Sequence, residues 1–508
     1  MHDRSGLSLP AGPRTTPLRR PLASPLGSLW VLFVVAMLMR ASQNMAQTTF
    51  PLVARDLFHL HPSAVGLIAA GVSAVGGAAI VLLASRVTST RAPQALVVAM
   101  GVMAVAFPFI GLARTAVVLV VGVVVLGLGG GVAFPTLITA VGATEAGHGA
   151  KGTRDRPIAL LGVALSVSLA IGPFVETGVL DLSHGSLRSA FDWFTIAPLA
   201  AIAVLAVVLV RHRRGSPAAH SLAARPVVGE PGGPDGPLVV SAEPSTGAVA
   251  VVPSGARLAL GRTLKEPAFK VALAGQLVYA APFAALVVFG ALLARHDDGM
   301  SPAAIEVAFG TFFVVSFLVR TVLVWRSPIT RKLVLFRLGT FLTLLGTLLL
   351  GVGHGEALLF VAMAVLGVPH GLTFPLAMGL VAEDRPQGEL ASVNANLSAS
   401  VQAVNLVLPL LLGVGIDAIG YRDMFLVLLA PVILAGAFQL IAARELAAHQ
   451  HRVRQRTSAP LTREVDEPGP WVESSPRRKP GDSWLKQPGP EAPALVLHHR
   501  HRQGRNRP

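Results

Sequence analysis

The sequence predicts an all-α membrane protein whose twelve transmembrane helices form two pseudo-symmetric six-helix bundles. Three observations predict it. The 508 residues are 52% hydrophobic and only 14% charged, with a mean hydropathy of +0.62, whereas soluble domains carry about 25% charged residues. Apolar runs close to the roughly 20 residues a helix needs to cross a bilayer recur along the chain. The second half also repeats features of the first at a constant offset of 240 residues.

In chain order, residues 1–27 hold Pro10, Pro13, Pro17, Pro21 and Pro25 among four arginines, and are expected to be a disordered cytoplasmic arm. No small-residue cleavage site follows the first apolar run, so a cleaved signal peptide is not expected. An N-terminal bundle over 28–212 contains spans near 29–50, 64–85, 94–112, 116–138, 158–179 and 191–210. Residues 213–262, rich in Pro, Gly, Ala and Ser, are expected to be a cytoplasmic linker. A C-terminal bundle over 263–444 contains spans near 268–294, 303–325, 333–352, 357–381, 393–416 and 422–443. Residues 445–508 are expected to be a disordered basic tail. The short loops hold ten Lys/Arg on the side of the termini against five on the other. By the positive-inside tendency this makes a multi-pass protein of the cytoplasmic membrane with both termini inside.

The offset is specific. Ala54-Arg55 falls on Ala294-Arg295, Pro62 on Pro302, Arg86 on Arg326, and Thr90-Arg91 on Thr330-Arg331. Gly127, Gly131, Phe134 and Pro135 fall on Gly367, Gly371, Phe374 and Pro375. Parallel halves of six helices joined by a long inner loop imply a two-fold pseudo-axis along the membrane normal. With these residues the chain resembles the major facilitator superfamily over about 28–444. The loop between spans two and three keeps Arg86 and Arg91 of that family's basic motif, with Val81 and Ser85 at its glycine and aspartate positions; Arg326 and Arg331 stand in the equivalent loop. Span five carries Gly172-Pro173, preceded by Ser168 and Ala164 at four-residue spacing, which looks like the family's antiporter motif. The resemblance implies transport by alternating access, a cavity lined by spans 1, 4, 7 and 10, an interface between halves made by spans 2, 5, 8 and 11, and lipid-facing third helices.

Much chemistry is excluded. Without cysteine there is no disulfide framework, thiolate nucleophile or Cys-ligated metal. No phosphate-cradling G-x-x-x-x-G-K-[ST] and no H-E-x-x-H occur, and no Ser/His/Asp set can be built at membrane depth. An enzyme, a cofactor and a bound metal are therefore not expected. His498, His499 and His501 lie in the basic tail and are assigned nothing. The net charge of +15 lies in tails and one-sided loops, suited to anionic inner-leaflet lipid rather than nucleic acid. The expected partners are a small-molecule substrate, protons and these lipids, for a monomer.

The first span, LWVLFVVAMLMRASQNMAQTTF, is interrupted by Arg40, Gln43, Asn44 and Gln47, which share one helical face. A charged side chain at membrane depth costs on the order of 3 kcal/mol and is kept where it faces protein or water. Arg40 is the candidate anchor for a carboxylate or phosphate; its other reading is a charge pair with Glu176 or contacts to backbone carbonyls. Gln276, Tyr279, His370, Gln402 and Asn405 complete the candidate substrate site, although Gln402 and Asn405 also suit a hydrogen-bonded seam between halves. His370 and Glu176 are the coupling candidates, His370 because imidazole titrates near neutrality. A lone helical histidine is more often simply packed. Glu176 and Glu306 sit near span ends and are expected to be exposed there. Arg86, Arg91, Arg326 and Arg331 are gate latches or plain inner charges. Gly127, Gly131, Pro135, Gly172, Pro173, Gly367, Gly371 and Pro375 are expected to allow close packing and bends. The function expected is proton-coupled export of a small organic solute. The alternatives are import of an organic anion or, from another class, a non-transporting sensor or scaffold.

Overall fold

A computed structural model describes residues 29–88, 91–145, 155–214, 260–326, 329, 331–383 and 387–458. The predicted arm, nearly all of the linker and the tail beyond Ser458 lie outside these residues. The N-terminal half comprises α1 (Leu29–Leu52), α2 (Pro62–Leu82), α3 (Ala92–Gly111), α4 (Ala116–Glu145), α5 (Asp155–Leu182) and α6, in two pieces (Leu187–Phe194 and Ile196–Arg214). The C-terminal half comprises α7 (Pro267–Ala285, continued by Ala291–His296), α8 (Pro302–Trp325), α9 (Lys332–Val352), α10 (Glu356–Ala382), α11 (Gln387–Ile419) and α12 (Tyr421–Val427 and Leu429–Ser458). Among the described residues, eleven of these are long and apolar enough to cross a membrane; α1, the remaining helix of the twelve, carries the polar face of the first span.

Proline and serine start several of these helices. Proline opens α2, α7 and α8, where its missing N–H costs nothing. The Ser301 hydroxyl caps α8 by accepting from the Ala304 amide at 3.2 Å. Three helices outrun their apolar segments. α4 continues to Glu145, α11 begins at Gln387, and α12 runs to Ser458, into residues expected to be unstructured. Hydropathy marks where the bilayer ends, not where backbone hydrogen bonding ends, and the Ala-, Arg-, Glu- and Gln-rich end of α12 is good helix-forming sequence. By its contacts the body ends at Arg452; Val453–Ser458 belong to a separate unit and are helical.

The repeat is built into the bonding. The Arg55 guanidinium donates to the Leu60 carbonyl at 3.1 Å, and Arg295 donates to Met300 at 3.0 Å, 240 residues on. The Leu60 amide bonds Ala54 at 3.1 Å and the Met300 amide bonds Ala294 at 3.0 Å. On α4, a Cβ at Gly131 would come 2.5 Å from the Gly76 carbonyl oxygen; on α10, one at Gly371 would come 2.6 Å from that of Ser316. In both halves the fourth helix thus lies directly on the backbone of the second. α2 packs along α11 and α5 along α8, forming the interface between halves. Val98 and Val105 on α3, Leu199 and Val207 on α6, Val334 and Phe341 on α9, and Ile433 and Leu434 on α12 are exposed, an apolar outer surface fit for lipid.

The end of the body carrying the α1–α2 and α7–α8 loops, called distal below, is tied by ion pairs. Asp56 meets Arg295 and His296, each at 3.3 Å, and the Ser63 amide donates to Asp417 at 3.1 Å; both contacts join the two halves. Within the C-terminal half, Asp298 accepts from Arg422 at 2.6 Å and from the Gly355 amide at 2.7 Å. Beside it, burial pushes the Asp297 carboxyl above its ordinary range against the opposing pull of Arg422. The folded state therefore holds that proton more tightly than the unfolded chain. The contribution to stability is present at low pH and is lost as pH rises from the usual carboxylate range through the raised value. Asp297→Asn is expected to flatten this part of the melting-temperature profile; an unaltered pH slope would contradict it.

Candidate functional site

α1 is the central element, enclosed on several sides, so its polar face divides into two rows. Gln43 and Gln47 point towards α4 and the space beside it. Arg40, Asn44 and Thr48 follow the other row, one turn apart. Against that row lies α5. Its Ser168 hydroxyl donates to the Met37 carbonyl at 2.6 Å, and a Cβ at Gly172 would sit 3.5 Å from Asn44 Nδ2 and 3.7 Å from Ala41 Cα. The small residues Ser168 and Gly172 thus bring α5 against α1.

The Gln43/Gln47 row borders a cavity of about 1200 Å³, open mouth included, between the halves. Ser73 and Asn405 supply further polar groups. Phe50, Val72, Ile110, Phe191, Phe283 and Val287 represent its predominantly apolar wall. The lining comes from α1, α2, α3, α4 and α6 of one half and α7 and α11 of the other. Gly130 makes room for Gln43, since a Cβ there would fall 2.5 Å from its amide nitrogen. Of the predicted substrate residues, Gln43, Gln47 and Asn405 line this cavity and the others do not. Asn405 donates to Gln402 at 3.0 Å, one turn back on α11.

Arg40 belongs instead to a polar cluster in the middle of the body. It is 5% exposed and stands within electrostatic reach of Arg320 on α8 and of His370 on α10. Arg320 donates to the Ser166 hydroxyl of α5 at 2.9 Å and to the His370 carbonyl at 3.2 Å, so it joins the halves at mid-depth. His370 Nδ1 lies 2.7 Å from the Tyr279 hydroxyl. Its ring stacks on Phe283, centroids 4.8 Å apart, and packs against Phe312 at 4.9 Å. Gln276 is buried near this wall of α7, and its side-chain nitrogen has no hydrogen-bond partner among the described residues.

The expectation that Glu176 and Glu306 are exposed at span ends is overturned. Both are 0% exposed. Glu176, expected as a possible partner of Arg40, accepts from the Thr48 hydroxyl at 3.1 Å and from that of Thr49, and its carboxyl stands beside that of Glu306. Sequence position placed the two correctly near helix ends, but their neighbours, the distal part of α1 and the facing helix, cover them. A legible signal was that both occur on fifth- and eighth-type helices, which the family plan turns towards each other. Arg320 was likewise visible as a charge within a span, without any indication of its partners.

The family model of the Major Facilitator Superfamily matches residues 32–395 and 272–486. The chain belongs to the Major Facilitator Superfamily. Among solved structures, it is similar to a POT family transporter in complex with 5-aminolevulinic acid (TM-score 0.58, 13% identity, covering 84% of this chain and 98% of that one). It is also similar to the nucleoside transporter NupG (0.59, 11%, 82% and 98%). A third is a bacterial homolog of the human lysosomal transporter Spinster, inward-facing and occupied (0.57, 13%, 82% and 96%). At these identities the likeness is one of fold. No curated protein matches the chain. Of this superfamily member's loop arginines, Arg86, Arg91, Arg326 and Arg331 are all exposed. Next to Arg331, Lys332 donates to the Gly379 carbonyl at 2.9 Å and to Glu383 at 3.2 Å. Gly127 and Gly367 lie against Val72 and the Phe312–Val315 turn, respectively. Pro135, Pro173 and Pro375 lie inside their helices, where each removes one backbone hydrogen bond.

Proposed function

We propose that this superfamily member is a proton-coupled secondary transporter that exports a small organic solute with a substantial apolar surface across the cytoplasmic membrane, by alternating access, as a monomer with both termini inside. The observation that carries this reading is the cavity between the halves. Its wall is mostly aliphatic and aromatic, with a few convergent amides and hydroxyls, the composition by which small-molecule sites bind an apolar body and orient it by few hydrogen bonds. Gly172-Pro173 on α5 supports export through its likeness to the antiporter motif. The test is a thermal-shift screen of purified protein against lipophilic metabolites and drugs at two pH values, followed by flux in proteoliposomes with an imposed proton gradient. Stabilisation by hydrophilic metabolites alone, or flux indifferent to the gradient, would reject it. Deletion of the tail beyond Ser458 separates this function from that of a scaffold, since a transporter keeps its flux.

One observation favours a second reading, the organic anion. Arg40 and Arg320 place two guanidinium groups in the middle of the body, and such a pair suits bidentate capture of a carboxylate or phosphate. Arg40→Gln is expected to weaken an anionic solute about tenfold, roughly the 1.4 kcal/mol of one charge-assisted contact, with Arg40→Lys in between. Unchanged affinity in both variants removes Arg40 from the binding site.

A further inference from the structure

The cavity and the arginine cluster leave one group of titratable side chains unused: the two buried glutamates between α5 and α8. Glu176 belongs to one half and Glu306 to the other. Each is completely enclosed. The oxygens of Glu176 are engaged by the Thr48 and Thr49 hydroxyls. Neither oxygen of Glu306 has a formed hydrogen bond among the described residues, although it stands beside Glu176 and Thr48. A bare carboxylate so placed is costly to bury, and two adjoining carboxyls away from water do not both ionise.

Among the described residues, no compensating cation stands at the pair. Arg40 lies about two turns towards the middle on α1, with Arg320 and His370 deeper on α8 and α10. At the distal end, Asp56 is held by Arg295 and His296, and Arg55 turns to the Leu60 carbonyl. On α6, Arg188 lies over the Phe58 ring, and Asp192 Oδ1 stands against Gly111 of α3. What meets the two carboxyls, among the described residues, is Thr48, Thr49 and each other. Around them the helices are in close contact: the Phe174 ring fills the space a Cβ at Gly310 would occupy, 2.8 Å away, and the Thr177 hydroxyl donates to the Ala303 carbonyl at 3.4 Å.

We propose that Glu176 and Glu306 share a proton across the interface, and that its loss to water at the distal face drives the distal parts of α5 and α8 apart. While one carboxyl is protonated, its O–H can donate to the other and the two halves close over them. When that O–H bond breaks and the proton leaves, two like charges remain in an enclosed site, a state relieved by separation and hydration. The pair then acts as a proton-dependent latch on the distal side, taking a proton from the distal water while that side is open and permitting closure only when occupied. This rests on the reading of the chain as a proton-coupled transporter, but its test needs no solute.

The chain has no cysteine, so spin labels can be placed at Arg114→Cys and Glu356→Cys, exposed distal positions on opposite halves. Distances are measured by electron–electron resonance in nanodiscs across a pH series. The unaltered pair is expected to move from a short to a longer distance as pH rises, and Glu176→Gln or Glu306→Gln to abolish that shift with the short distance retained. An infrared pH-difference spectrum should lose the carbonyl stretch of a protonated carboxyl in either variant, a readout that does not depend on the labels. Should the variants keep both the shift and the infrared band, the proposal fails, whatever the solute screen finds. A distance response to sodium chloride, absent in potassium chloride at fixed pH, would also overturn it by making the site one for a metal cation. If the solute screen fails while the distance shift and its loss are observed, the export reading falls and the proton pair stands.

Discussion

Gly131→Ala is expected to destabilise the protein by about 2–3 kcal/mol, at the upper end of overpacking costs. The added methyl would lie 2.5 Å from the Gly76 carbonyl oxygen and 2.8 Å from its Cα. Both are backbone atoms that cannot rotate away, so α4 would have to lift off α2. Gly371→Ala should behave alike, because the Ser316 carbonyl oxygen stands 2.6 Å from its would-be Cβ in the equivalent place. Gly77 and Gly162 are the controls: nothing lies within 4 Å of a Cβ at either, and alanine there should be neutral. Melting temperatures in detergent decide the matter. Equal effects at Gly131 and Gly77 would show that the contact between α2 and α4 is not what glycine serves.

The second large effect is expected at Arg320. Its hydrogen bonds to Ser166 in one half and to the His370 carbonyl in its own make it a link through which α5, α8 and α10 keep register at mid-depth. Hydrogen bonds from a charged group contribute roughly 1.5–3 kcal/mol each. Arg320→Met is therefore expected to lower flux on the order of a hundredfold in proteoliposomes, equivalent to about 2.8 kcal/mol. Arg320→Lys should restore part of it, since an ammonium cannot reproduce the forked geometry that reaches both acceptors. Wild-type flux in Arg320→Met would remove this residue from the working interface.

The two sites differ in how far the sequence announced them. The glycines of α4 and α10 were legible because the internal repeat presents each pair twice, and a residue that recurs at one offset in matched helices has a common packing cause. The polar face of α1 was legible from its period, but not its division. A helix presents a stripe to whatever surrounds it, and periodicity cannot say that Gln43 and Gln47 meet a cavity while Arg40 and Asn44 meet another helix row. His370 shows the same limit, as its aromatic surroundings come from α7 and α8.

The sequence by itself determined the number of spans, the two-fold repeat, the family and the rarity of charge at membrane depth, because hydropathy, helical period and repeated glycines are properties of neighbouring residues or of a constant offset. Only the tertiary structure decided that Glu176 and Glu306, 130 residues apart, lie enclosed against each other, and that Arg320 bridges the halves. Those outcomes depend on how α5 and α8 are rotated about their own axes when they pack, and that rotation is set by contacts such as Phe174 on Gly310, which no local pattern encodes.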